Sequence, residues 1–196
     1  MYSSSNTIPE FGVGIHIDYD VTGVHPATNV GTDYYDVVGM ALFNTLAEAD
    51  VICKYLNKVG EMVNAAGMKF GYHNHSYEFN KVEGQVWYDY MIKHTDADKV
   101  FYEMDVYWAV RGQVSPVEYF KKYPNRFTLL HIKDHKEIGQ SGMVGFDAIF
   151  RHADIAGVEH IIVEAEAYES ADMMEGVGLC ADYLLKADFV KADYTK

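Results

Sequence analysis

Four side chains able to ligate a metal recur along the chain at nearly constant spacing. They are Glu78, Asp105, His131 and Glu164, separated by 27, 26 and 33 residues. Each lies in or just after a short strand-like run: GYHNHSYEF, FYEMDVYW, TLLHIKD and IIVEAE. A strand, a loop, a returning helix and a second loop need about that much chain. In a parallel barrel every strand delivers its C-terminal end to one face, so such spacing can gather distant residues at one point. Carboxylates and an imidazole converging there suit a divalent cation.

Each residue also has a plainer reading. In HNH, alternation puts His73 and His75 on one side and Asn74 on the other, and such residues also cap loops. Asp105 ends an apolar run, where a carboxylate needs a cation or a donor. N-capping of a helix is its alternative role, and Glu103 is a weaker competitor two residues earlier. His131 interrupts an apolar strand, and Lys133 points the same way two positions on. That pairing suits a metal ligand beside a clamp for an anion or hydroxyl. Glu164 and Glu166 share one face of the next strand; Glu164 is the preferred ligand because it ends the apolar run. Trp108 and Arg111 are candidate substrate contacts, a flat apolar wall and a bidentate partner for anions. The run KDHKE at 133–137 reads equally well as a solvated loop.

Placing these residues requires alternating strands and helices. Apolar residues from Val51 to Val63 recur at helical spacing, and Gly67 follows as a stop signal. Residues 68–72, 100–104, 127–132 and 160–163 read as four buried strands. Helices are expected at 86–94, 146–156 and roughly 176–186. A further helix starts at Ser115-Pro116, with Ser as N-cap, Pro in the first turn and Glu118 three residues after the cap. Gly139, Gly142 and Gly145 mark a mobile loop. This alternation argues for a parallel sheet with helical crossovers. Its short, nearly continuous apolar strands suit burial on both faces. The first 45 residues differ: GVGIHID reads as a strand, VVGMALF as a strand or short helix, and the stretch between them has little periodicity. That makes four clear strands and at most two more.

The bulk numbers bound the function. The chain has 196 residues, 49% hydrophobic and 23% charged, suited to one soluble domain spanning 1–196. A net charge of −13 repels phosphate backbones, so nucleic acid is not an expected partner. Cys53 and Cys180 are isolated thiols rather than a disulfide framework, consistent with a reducing cytoplasm. No secretory leader is recognisable at the N-terminus. No apolar run approaches the roughly 18 residues of a membrane span.

In GYHNHSYEF, MDVYWAVRG, LLHIKDHKEIGQSGMVGF and IIVEAEAY the sequence resembles the sugar phosphate isomerase/epimerase family, the xylose-isomerase-like TIM barrels. The resemblance runs over roughly residues 46–196. It implies an α/β, TIM-barrel-like (β/α) parallel sheet, as an incomplete or N-terminally altered (β/α)8 barrel. It also implies one divalent metal ion (Mn, Zn, Co or Mg) held by two Glu, one Asp and one His, roles that fall on Glu78, Asp105, His131 and Glu164. Some branches carry the first Glu on the strand itself, where this chain has His73.

The implied activity is isomerisation or epimerisation of a keto-sugar, sugar phosphate or related polyol through an enediolate. Glu164 would take the proton, with Glu78 or His75 as the second catalytic group. His73, Trp108, Arg111, Lys133 and Glu166 would contact substrate. A dehydratase acting on a 3-keto sugar would use the same enolate. A metal-dependent phosphodiesterase would need a basic groove, at odds with the charge. A non-catalytic remnant, pairing with another copy to form a homo-oligomer, is the remaining alternative.

Overall fold

The computed structural model describes residues 44–194, together with the backbone of three earlier strands: β1 (Ser3–Ile8), β2 (Val13–Asp18) and β3 (Tyr34–Gly39). The chain forms two compact units, residues 1–102 and 103–196.

In the first unit, β1 pairs with β2 and β2 with β3, both antiparallel, while β3 runs parallel to β4 (Lys69–His73). The strand expected in GVGIHID is therefore present, and VVGMALF begins as strand β3. Its last four residues, 40–43, and the stretch at 19–33 lie outside the described residues. β1 itself has no counterpart among the expected strands. Helix α1 (Leu46–Ala65) precedes β4 and buries Ala49, Ile52, Cys53, Leu56 and Gly60, an apolar stripe at helical spacing. Thr45 caps it by accepting a hydrogen bond from the Glu48 amide at 3.2 Å. After β4 comes a single 3-10 turn at Tyr77–Phe79 and a small hairpin, β5 (Lys81–Val82) and β6 (Gln85–Val86). Its turn residues Glu83 and Gly84 both have positive φ, 48° and 83°, the conformation of a type I′ turn. This hairpin was also unexpected, because two-residue strands are too short to show alternation. Helix α2 (Trp87–His94) follows, and Phe101 and Tyr102 close the unit. The core is aromatic: the Tyr88 ring meets those of Tyr102 and Phe79 edge-on at 5.4 and 5.0 Å.

The second unit begins inside β7 (Phe101–Asp105). β7 runs parallel to β8 (Leu129–Ile132), and β8 parallel to β9 (His160–Val163). Helices α3 (Val106–Arg111) and α4 (Pro116–Lys122) connect β7 to β8. Ser115 caps α4 and Pro116 occupies its first turn, as expected from the sequence. The crossover from β8 to β9 was expected to be one helix. It is two, α5 (Phe146–Arg151) and α6 (Ala153–Ala156), broken where the His152 ring bonds the Ala148 carbonyl at 2.7 Å. Gly157 ends α6 at φ 83°, a left-handed cap. Helix α7 (Met173–Lys186) starts behind the capping carboxylate of Asp172. Met104, Phe120, Phe127, Leu130, Ile132, Phe146 and Phe150 fill the core.

Strand β9 departs from the expectation of burial on both faces: it pairs on one side with β8, and Val163 is 44% exposed. The glycine-containing segment after β8, expected to be a mobile loop, is bonded to the strand end through Asp134. The Asp134 carboxylate accepts from the His135 amide (2.7 Å), the Gly139 amide (3.0 Å) and the Ser141 hydroxyl. Among the described residues no helix is long and apolar enough to cross a membrane.

Candidate active site

Parallel register explains how the second unit assembles its polar cluster. Asp105 on β7 lies directly opposite His131 on β8, so their side chains share a face. Ile132 pairs with Val163, which sets Lys133 beside Glu164 one residue further on. The Glu164 amide donates to the Ile132 carbonyl at 3.1 Å, continuing the ladder past the end of β9.

His131 is the centre of this cluster. Its Nδ1 lies 3.6 Å from Glu103 Oε1 and 4.0 Å from Asp105 Oδ2; its Nε2 lies 3.7 Å from Glu164 Oε2. All three separations exceed ordinary hydrogen-bond lengths. Glu103 and Asp105 lie on the Nδ1 side of the ring and Glu164 on the Nε2 side, and a single ion would take one of the two nitrogens. Asp105 does two jobs with its two oxygens. Oδ1 accepts from the Trp108 amide at 2.7 Å and caps α3, while Oδ2 faces the imidazole. The capping and ligand readings of Asp105 are therefore compatible. Glu103, Asp105 and His131 are buried, and Glu164 keeps 26% of its side chain exposed. One imidazole among carboxylates is a donor set for a divalent cation of borderline-to-hard character.

Lys133 is 2% exposed, and its ammonium bridges Glu164 Oε2 (2.9 Å) and Glu166 Oε2 (2.6 Å). A buried ammonium needs such partners, and here they are two of the candidate site carboxylates. Trp108 is half-buried, its ring 5.2 Å from that of Tyr107. Arg111 is exposed in the last turn of α3.

In the first unit, β4 runs out into His73-Asn74-His75. The rings of His73 and His75 stack at 5.5 Å and 15°, and His75 stacks on Tyr77 at 5.6 Å and 8°. Asn74 points the other way, where its carbonyl accepts from the Tyr88 hydroxyl at 3.1 Å. Glu78 is fully buried; its oxygens accept from the Tyr72 hydroxyl and the His75 amide, both at 2.9 Å. It thereby folds its own loop back onto the strand end. Burial, followed by the neighbouring Glu78 charge, pushes the Tyr72 hydroxyl well above the usual tyrosine range.

Three features had weak sequence signals. Glu103 is closer to His131 than Asp105 is; alternation within FYEMD puts both on one face, and that signal was available. Tyr107 approaches His135 Nδ1 at 3.4 Å, a contact that depends on two loops meeting. In KDHKE, Lys133, Asp134 and Glu137 are buried rather than solvated.

The xylose isomerase-like TIM barrel family model matches residues 15–183. Two solved structures titled sugar phosphate isomerase/epimerase, both from Parabacteroides distasonis, are 43% and 40% identical, each with a TM-score of 0.75. Each match covers 80% of this chain and 60% or 61% of the relative. A structure titled L-ribulose 3-epimerase shares the fold at 18% identity, TM-score 0.54, over 73% of this chain and 48% of that one. A curated inosose dehydratase from Clostridium botulinum is 31% identical over 87 residues, 44% of this chain and 28% of that protein. The chain thus spans about three fifths of the solved relatives and under a third of the curated one.

Proposed function

The chain belongs to the xylose isomerase-like TIM barrel family, and on that footing we propose that it is a divalent-metal-dependent isomerase or epimerase of a keto-sugar, sugar phosphate or related polyol. The observation that carries the reading is the gathering of carboxylates around the buried His131 at the strand ends, with Asp105 4.0 Å from its Nδ1 and Glu164 3.7 Å from its Nε2. Asp105, His131 and Glu164 would hold the ion; Glu78 is proposed as a further ligand from the loop after β4. The bound ion would polarise a substrate carbonyl and stabilise the negative charge of an enediolate.

The chain's own groups supply the rest. Glu164, oriented by the Lys133 ammonium, would take the proton next to the carbonyl. His75 and Glu78 are proposed to return it. Glu166, 59% exposed, and the buried Lys133 that pairs with it are proposed as contacts for substrate hydroxyl groups. His73, Trp108 and Arg111 are proposed as further substrate contacts. Cys53 and Cys180 are unbridged and buried, which supports a reducing, cytoplasmic setting. The match to inosose dehydratase favours a second reading, dehydration of a keto-polyol, in which the enolate re-forms a carbonyl as the neighbouring C–O bond breaks, and the departing oxygen takes a proton from His75 or Glu78 to leave as water.

The test is metal analysis of the purified protein, then turnover of keto-sugars and inosose by wild type, Glu164→Gln and His131→Ala. The expected result is about one ion per chain and at least about a hundredfold loss of activity in each variant. Full activity in both variants would sink the assignment.

A further inference from the structure

The segment that carries Glu164 and Glu166 has no helix or strand of its own between β9 and α7. Something else must hold these carboxylates in place. Near the strand end it is tied by Lys133, through the two ion pairs at 2.9 and 2.6 Å. Farther along it is tied by Glu137. This carboxylate is 2% exposed and gathers two backbone N–H groups. Oε1 accepts from Glu169 and Ser170, both at 2.9 Å, and Oε2 lies 3.1 Å from the Glu169 amide.

Glu137 is itself anchored by its surroundings. The next amide, Ile138, donates to the Cys180 thiol of α7 at 3.2 Å. Lys136 pairs with the Glu169 carboxylate. Gly176, in the first turn of α7, lies so close that an added Cβ would stand 3.0 Å from Ser170 and Tyr168 and 3.5 Å from Glu137 Oε1. The two ties bracket the stretch from Glu164 to Ser170 and close it into a ring with residues 133–137.

We propose that Glu137 is a positioning residue of the active site: its grip on the Glu169 and Ser170 amides holds the segment after β9 where Glu164 meets Lys133 and His131. This rests on the metal-site reading of Asp105, His131 and Glu164. The backbone bond from Ser170, first among several, pulls the Glu137 carboxyl down to about 2, so the latch stays charged through neutral pH.

The test is titration of the metal-free protein with Co2+, followed by its visible absorption, with amide hydrogen exchange on residues 164–172. Glu164→Gln serves as comparator. In Glu137→Ala, exchange at Glu169 and Ser170 should quicken roughly tenfold. Co2+ affinity should fall roughly ten- to a hundredfold, as when an outer-shell partner is lost, with the band displaced toward that of Glu164→Gln. Glu137→Gln keeps the volume and one acceptor. It should show a smaller shift in the same direction, and it decides the matter alone if the alanine variant does not fold. Wild-type affinity and spectrum in these variants would overturn the proposal even if exchange quickened, leaving Glu137 merely structural. A wild-type protein that takes up no Co2+, with Glu164→Gln equally silent, would remove the metal-site reading and the positioning role with it.

Discussion

Replacing Lys133 by methionine separates the two things its ammonium does. The side chain is buried at 2% exposure, so its burial carries a desolvation penalty of several kcal/mol. Against that stand the charge-assisted bond to Glu164 at 2.9 Å, about 1.5–3 kcal/mol, and the pair with Glu166. Glu166 is 59% exposed, so its share is screened to about 0–1 kcal/mol. Methionine fills nearly the same volume, and the abandoned Glu164, a quarter exposed, can rehydrate. The opposing terms nearly cancel, and the expected stability change is within about 2 kcal/mol either way. For a chain of this size that is a Tm shift below about 8 °C. Activity should behave differently, because Glu164 loses the group that orients it, and misplacing a catalytic carboxylate by an ångström can lower turnover about a hundredfold. Lys133→Ala, which also opens a cavity, should be less stable than Lys133→Met by about 2–4 kcal/mol. The assay is thermal unfolding by circular dichroism beside turnover of the active keto-substrate. A methionine variant with unchanged kcat/KM, or one that melts more than about 15 °C lower, would refute this balance.

Other perturbations have equally definite outcomes. Asp105→Asn should keep the cap on α3 and melt near wild type while losing affinity for divalent metal; Asp105→Ala should lose both, the cap contributing about 0.5–2 kcal/mol. Calorimetry in which Asp105→Asn binds metal like wild type, or melts no higher than Asp105→Ala, would contradict the double role. Because the Glu137 carboxyl is lowered to about 2 in the fold, its contribution is fully present above the ordinary carboxylate value. It is lost as pH falls from about 4.5 through about 2. The Tm difference between wild type and Glu137→Gln should therefore shrink across that window, and a constant difference would speak against it. Burial, aided by the Asp50 charge, pushes the Cys53 thiol up to about 12. It should resist a thiol reagent at pH 8 in the folded chain and react on unfolding; rapid native labelling of Cys53 would count against its burial. Gly71→Ala would drive a Cβ to 2.3 Å from the Phe101 ring. Overpacking of that kind costs about 1–3 kcal/mol, measurable as a lower midpoint in urea.

The alternation of apolar runs and helical stripes marked β4, β7, β8 and β9 to within a residue or two, because apolar residues dominate each run. The start of α4 was legible because its cap is made by neighbours in sequence, Ser115 and Glu118. Elements built from weak local signals were not, and β1, the β5–β6 hairpin and the break at His152 are examples. The exposure of β9 and the bonds of the loop after β8 were not legible for a related reason. Exposure and restraint depend on which segments lie alongside, as when Glu137 meets amides more than thirty residues away.

The candidate site divides along the same line. Sequence alone determined which groups to consider, since residue types and near-constant spacing singled out Glu78, Asp105, His131 and Glu164 as groups that strand ends could present together. Their geometry was decided by tertiary structure. Parallel register set Asp105 opposite His131, and the same register one strand over set Lys133 beside Glu164. The Asp105 and Glu78 carboxylates look alike in sequence. In the fold one turns an oxygen to His131, while the other closes on its own loop. Spacing specifies how far apart two side chains are along the chain. Only hydrogen-bonded register and packing specify which atom each one faces.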